Sequence, residues 1–264
     1  MSGQNLKGRT ALITGSTSGI GAAIAERMAA AGANIVLNGF GDADGIEAQR
    51  AALEANHGIR AVYIHADLTK GADATALVEK AASQLAPVDI LVNNAGIQHV
   101  APVAEFPPEK WEALIAICLS SAFYTSAAAL PHMKGQDWGR IINIASAQGK
   151  VASPFKSAYN AAKHGVIGFT KSVALEYAET GVTANAICPG YVNTPLVQGQ
   201  VAGQAKAHNM SEEDVIRNVI LSVQPNKRFV EPEEIGDMAV YLSSECARSI
   251  TGAALSVDGG WTSW

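Results

Sequence analysis

Cysteine is scarce and poorly placed for cross-linking. Cys118, Cys188 and Cys246 are the three in 264 residues, an odd number at wide spacing. They form no C-x-x-C pair or disulfide framework, so a reducing, cytoplasmic setting is expected. Metal-binding patterns are missing too. Six histidines lie scattered, none in an H-E-x-x-H arrangement, and no catalytic metal is expected. Positive charge is also short, with 19 Lys and Arg against 24 Asp and Glu. That balance gives no electrostatic footprint for nucleic acid or an anionic membrane. The opening MSGQNLKGRT has no apolar signal-peptide core, and no continuous apolar run reaches the ~20 residues of a membrane span. No proline-rich or charged linker divides the chain, so one domain covering 1–264 is expected.

What is present is rhythm. Short β-rich runs alternate with alanine-rich helical segments: TALIT before 20–31, NIVLN before 42–56, AVYIHAD before 69–85. DILVNNAG then leads to a long helical stretch ending near 133, and GRIINIAS leads to 158–178. VTANAICPG and ALSVDGG complete the strands. Continuous apolar strands separated by helices predict an α/β fold, a single doubly wound Rossmann-type domain with a mainly parallel sheet buried on both faces. Residues 193–224 break the rhythm with glutamines and a charged SEEDV. An insertion after a late strand sits over the carboxyl ends of the sheet, where ligands bind, so a helical substrate lid is expected there.

TGSTSGIG follows the first strand directly. Gly15, Gly19 and Gly21 permit a tight turn and close backbone approach to a pyrophosphate resting on a helix N-terminus. Thr17, Ser18 and Ile20 complete that cradle. At the end of the second strand, NGFG offers neither the acid that holds a ribose hydroxyl nor an arginine for a 2′-phosphate. Asn38 offers neutral hydrogen bonds and Phe40 can occupy the adenosine end. With no cation for the extra phosphate, NAD is expected over NADP.

Several motifs in order resemble the short-chain dehydrogenase/reductase family across the whole chain. They are TGSTSGIG, Asp67-Leu68, NNAG at 93–96, Ser146, Tyr159-x-x-x-Lys163, Pro189-Gly190 and VNTP at 192–195. The stretches NNAGIQH, VASPFKSAYNAAKHG and NAICPGYV are most similar to the family's bacterial hydroxybutyrate branch. The resemblance implies that Phe40, Asp67, Leu68, Asn94, Gly96, Pro189, Gly190, Val192 and Thr194 join the glycine loop around NAD. It implies Ser146, Tyr159 and Lys163 as the catalytic set, with Tyr159 and Lys163 also touching the cofactor. It implies (R)-3-hydroxybutyrate and acetoacetate as the small anionic substrate pair, and a homotetramer.

Physical chemistry supports the catalytic set separately. Tyr159 and Lys163 are four apart and share a helix face. A nearby ammonium stabilises tyrosinate and brings a phenol of ordinary pKa ~10 toward working pH. In isolation such a pair is an ordinary solvated face; the surrounding motifs reverse that reading. Lys156 precedes the helix by about a turn and can meet an anionic group instead. The resemblance to the hydroxybutyrate branch implies that Lys156 binds the substrate carboxylate with help from Gln98 and Gln200, with Ser146 and Tyr159 at the reacting oxygen. Tyr191 and Trp261 are candidates for apolar wall around a small methyl group.

Two positions depart from the family. Gln148 stands where a histidine is expected, and it is read as a neutral donor to substrate carboxylate. Cys118 stands where an asparagine joins the Ser-Tyr-Lys set and helps hold a relay water; a thiol is a poor replacement. The readings in play are hydroxybutyrate dehydrogenase, reductase of another small keto compound, and a catalytically weak dinucleotide sensor.

Overall fold

Seven apolar runs become the strands of one sheet: β1 (Thr10–Ile13), β2 (Asn34–Leu37), β3 (Ala61–Tyr63), β4 (Ile90–Asn93), β5 (Gly139–Ile144), β6 (Val182–Pro189) and β7 (Ala254–Val257). The computed structural model describes residues 5–263, apart from the side chains at 196, 200, 204, 207 and 208. The strand order is β3-β2-β1-β4-β5-β6-β7, and every pairing is parallel. The order reverses between β1 and β4, opening a crevice at the carboxyl ends of those two strands.

Alternation along each strand explains why both faces need helices. Ala11, Ile13, Ile35, Leu37 and Val92 enter one apolar layer, while Leu12, Val36 and Leu91 enter the other. The first layer is closed by α1 (Gly19–Ala30), α2 (Ala43–His57) and α9 (Pro232–Ser243), through Ile24, Met28, Leu53 and Ile235. The second is closed by α3 (Gly71–Gln84), α5 (Ser121–Gly135) and α6 (Ser157–Glu176), through Leu77, Met133 and Val173. Each such Leu or Ile contributes about 1.5–3 kcal/mol on burial.

The third strand is shorter than AVYIHAD suggests. It lies at the sheet edge with β2 as its one neighbour, so residues after Tyr63 leave the ladder as a loop. The helix ahead of β5 is longer than a core needs. α4 (Pro108–Ile115) runs through a π-helical turn (Ala116–Ser120) into α5. By length and composition, Pro108–Gly135 is apolar enough to cross a membrane, at a mean hydropathy of 1.8. One face buries Ala122, Thr125, Ala129 and Met133, while Trp111, Phe123 and Tyr124 stand exposed on the other.

The segment after β6 forms α7 (Pro195–His208), α8 (Glu212–Asn218) and a short 3-10 turn (Ile220–Val223). Asn209, left-handed at φ 51°, ends α7, and the Ser211 hydroxyl accepts from Asp214 N to start α8. Val201, Ala205, Val215 and Leu221 give this excursion a small core of its own. It is helical, as the glutamine-rich stretch suggests, and is termed the lid.

Candidate active site

The glycine loop is held from below by β4. Thr14 Oγ1 accepts from the backbone N–H of Asn94 and of Ala95, both at 3.0 Å. The Asn94 amide donates in turn to the Thr14 and Gly15 carbonyls, at 2.9 and 3.0 Å. Gly15 and Gly19 are left-handed, at φ 64° and 54°, and a Cβ on Gly21 would fall onto the Gly15 carbonyl. The result is a side-chain-free cradle at the N-terminus of α1, which suits a pyrophosphate. Above it lies a cleft of about 270 Å³. Gly15, Ser18, Gly19 and Ile20 line one wall; Asn94, Gly96 and Gln98 line the floor; Ser146, Tyr159, Lys163, Pro189, Gly190, Val192 and Thr194 close it.

A second cavity, beside the loop, is lined by Thr17, Phe40, Glu26, Asp42 and Gln49 among others. The Thr17 hydroxyl donates to the Phe40 carbonyl at 2.7 Å, and the Phe40 ring is exposed. Asn38 does not present its amide there, which corrects the expectation from NGFG. It is 1% exposed, and its Nδ2 donates to Ile64 O at 3.1 Å, because an amide at a strand end is used to close the sheet edge. Asp67 and Leu68 lie in the loop after β3 and line none of the three cavities. The Thr69 hydroxyl and N–H bind the Asp67 carboxylate and hold its pKa below the ordinary value. Leu68 packs into the second apolar layer.

The expected catalytic residues Ser146, Tyr159 and Lys163 are brought together from the end of β5 and from α6. Ser146 follows β5, and its Oγ accepts from Gln148 N at 3.1 Å. Tyr159 and Lys163 sit one turn apart on α6, with Lys163 Nζ 5.6 Å from the Tyr159 ring centre. Lys163 is 4% exposed, and its ammonium donates to Ile144 O at 2.7 Å. Beneath them a chain of buried polar bonds ties four elements together. Thr125 Oγ1 donates to Asn93 Oδ1, Asn93 Nδ2 to Asn143 Oδ1, and Asn143 Nδ2 to Thr170 Oγ1, all at 2.7–2.8 Å. Leaving any one of these groups unpaired costs about 1–3 kcal/mol, so α5 and α6 are fixed against the sheet. Cys118 occupies the π-helical turn among Leu114, Ala158, Ala162 and Tyr159, and its thiol donates weakly to Ile97 O at 3.6 Å.

Gly96, Ile97 and Gln98 also line a third cavity of about 670 Å³, which reaches under the lid. Its polar groups are Gln98, His99, Lys156 and Tyr191; Val100, Val197, Val219 and Ile220 supply apolar wall. Lys156 Nζ lies 5.8 Å from the centre of the Tyr191 ring, within cation–π range. Tyr191 stacks on Trp261 with centroids 5.5 Å apart and planes 6° from parallel. Among the described residues no carboxylate pairs with Lys156. Burial pushes the Lys156 ammonium pKa down and, with Tyr159 beside it, the Tyr191 phenol up.

Gln148 is 4% exposed and lines neither the cleft nor the cavity under the lid; its Oε1 is buried without a partner. The side chain of Gln200 lies outside the described residues, although its backbone belongs to α7. Sequence reasoning passed over His99, which faces the same cavity as Lys156. The signal was its place directly after Gln98 in NNAGIQH.

A phosphate cradle at a sheet switch point, feeding a cleft with a Ser-Tyr-Lys set, defines a dinucleotide-dependent oxidoreductase. The chain belongs to the short-chain dehydrogenase family, whose model matches residues 9–205. It is 57% identical to a D-beta-hydroxybutyrate dehydrogenase of Cupriavidus necator, over 97% of this chain and 98% of the relative. A protein of the same description from Rhizobium meliloti is 52% identical over 96% and 98%. Among solved structures, a putative 2-deoxy-D-gluconate 3-dehydrogenase of Agrobacterium tumefaciens with bound NADP superposes at a TM-score of 0.86. It is 34% identical and both chains are covered completely. The cofactor is a pyridine nucleotide.

Proposed function

We propose that this protein is an NAD-dependent dehydrogenase interconverting (R)-3-hydroxybutyrate and acetoacetate. The observation that carries the substrate is Lys156, a half-buried ammonium with no carboxylate partner among the described residues, in a cavity that shares Gly96, Ile97 and Gln98 with the Ser146–Tyr159 cleft. Charge-assisted hydrogen bonds are worth about 1.5–3 kcal/mol, enough to select a free acid over a neutral ketone. Gln98 and His99 line the same cavity and add donors to that carboxylate. Gln148 supports Ser146 through its backbone N–H, and we assign its side chain no direct contact. Tyr191 lines the side where a small methyl group packs; Trp261, expected there as well, lines none of the three cavities and stacks against Tyr191 from outside.

When bound, the nicotinamide supplies or accepts the hydride. Gly15, Ser18, Gly19 and Ile20 hold the dinucleotide phosphates, with Thr194 across the cleft. Tyr159 takes the hydroxyl proton during oxidation and returns it during reduction. Lys163, fixed by Ile144 O, holds its ammonium one helical turn from the phenol, 5.6 Å from the ring centre. Ser146 Oγ orients the substrate oxygen and stabilises the charge developing on it.

NAD is favoured over NADP by the charge beside Phe40. Glu26 and Asp42 line the adenosine-end cavity, and no Lys or Arg does. A 2′-phosphate there meets two carboxylates. The exposed apolar face of α5 with Leu175 of α6 suits burial against other copies of the chain, in a cytoplasmic homotetramer. A second reading, a longer 3-hydroxy acid, is favoured by the size of the cavity, which exceeds what four carbons fill. Initial rates with both hands of 3-hydroxybutyrate, longer homologues and each cofactor separate these readings. Efficient NAD reduction by the (R)-acid is expected; equal efficiency with NADP, or with the (S)-acid, refutes the assignment.

A further inference from the structure

We infer that Phe155 is a positioning residue for acid selectivity, and that its left-handed backbone, rather than its ring, delivers Lys156 to the substrate carboxylate. The inference rests on the reading of Lys156 given above.

Among the described residues, four non-glycines have positive φ: Asp137, Phe155, Asn209 and Lys227. Asp and Asn tolerate that region because a short polar side chain can bond locally. Phe155, at φ 64°, has no such device. Its ring is 56% exposed, so side-chain packing does not compensate. The conformation is imposed from outside, as expected where neighbouring structure over-determines a disfavoured backbone. Pro154 precedes it, and a fixed proline φ followed by a positive φ is the pattern of a type II turn, which ordinarily takes Gly or Asn at that second place. Phe155 O accepts from Ala101 N at 2.9 Å. Asn160 Nδ2 donates to Ser153 O at 2.8 Å, clamping the start of the turn to α6. Lys156 O then accepts from Asn160 N at 2.8 Å as the helix begins.

This turn has a specific consequence. The Ala101–Phe155 bond fastens the loop carrying Gln98 and His99 to the loop carrying Lys156. Groups that meet one carboxylate therefore share one backbone frame. An extended residue at 155 would send Lys156 elsewhere and separate the two loops, while Ser146, Tyr159 and Lys163, anchored on β5 and within α6, would stay in place.

The test compares backbone preference with side-chain identity. Phe155→Gly and Phe155→Asn suit a positive φ; the β-branched Phe155→Val does not. Each is measured for kcat and KM with (R)-3-hydroxybutyrate and its methyl ester, for NAD affinity and for thermal midpoint. Phe155→Val is expected to raise KM for the acid about tenfold, the size of the disfavoured-backbone penalty, with kcat, ester kinetics and NAD affinity unchanged. Phe155→Gly and Phe155→Asn are expected to keep the wild-type KM for the acid. Should Phe155→Val fail to fold, Phe155→Thr, also β-branched, replaces it and is expected to give a rise of the same kind. An equal loss in the Gly and Asn variants would assign the effect to the ring and overturn the inference. So would an unchanged KM in Phe155→Val. Lys156→Ala is run alongside: unchanged acid kinetics there refute the reading of Lys156 itself, whereas a loss there beside an unaffected Phe155→Val refutes the positioning role alone.

Discussion

The cleft above the glycine loop and the cavity beside Lys156 meet at Gly96–Gln98, yet they are built differently. The first stands on the sheet. Its loop is fixed by bonds between Thr14, Gly15, Asn94 and Ala95, and Lys163 is anchored to β5. The second is held by one turn, two clamping bonds and a lid with a small separate core. Exposed apolar side chains collect around it: Ile97, Val100 and Phe155. The difference follows from the tasks. A cofactor common to many enzymes suits a rigid cradle, while a specificity pocket is supported by loops that can vary without disturbing the sheet.

The largest expected effect falls on the rigid side. Tyr159→Phe removes the group that exchanges the proton and leaves the phosphate cradle intact. Turnover should fall by at least ~100-fold, the lower range for general acid–base catalysis, with NAD affinity unchanged. A variant that keeps most of its turnover would remove Tyr159 from the chemistry. If NAD affinity fell as well, the two halves would be less separate than their bonding suggests.

A smaller effect is expected at Cys118, where the two halves touch. The thiol is 3% exposed and packed against Leu114, Ala158 and Ala162, so the bulkier, polar side chain of Cys118→Asn is an intrusion. A stability loss of about 1–3 kcal/mol is expected, read as a lower thermal midpoint, with turnover little changed. Higher turnover together with a shrinking solvent isotope effect would instead show that proton relay past Cys118 limits the wild-type rate.

The same division governs what was legible beforehand. Strand runs, the glycine loop and Tyr159-x-x-x-Lys163 depend on periodicity and local spacing, and they stand in the structure where those patterns put them, except that β3 keeps only Ala61–Tyr63 of AVYIHAD. The burial of Asn38 was hidden because its partner, Ile64 O, is supplied by a neighbouring strand's exit. Gln148 was read as facing substrate because it stands where the family has a histidine, but a 3-10 turn (Ala147–Gly149) buries it. The turn at Phe155 left no trace, because neither Pro154 nor a phenylalanine announces a left-handed residue. The π-helical turn at Cys118 is equally silent, being set by tertiary packing.

The most direct test of the division is the ratio of kcat/KM for (R)-3-hydroxybutyrate to that for its methyl ester, followed against pH in the wild type and in Lys156→Ala. Steps at the reacting oxygen are common to acid and ester and cancel in the ratio. Only the protonated ammonium attracts the carboxylate, and burial lowers the Lys156 pKa. The wild-type ratio should therefore be high near neutral pH and fall as pH rises, losing its value below the ~10.4 of an ordinary lysine. In Lys156→Ala the ratio should be low by about 10–100-fold near neutral pH, the equivalent of one charge-assisted bond, and flat over that range. A ratio that is the same in both proteins, or a mutant that loses acid and ester equally, would contradict the claim that Lys156 reads the acid.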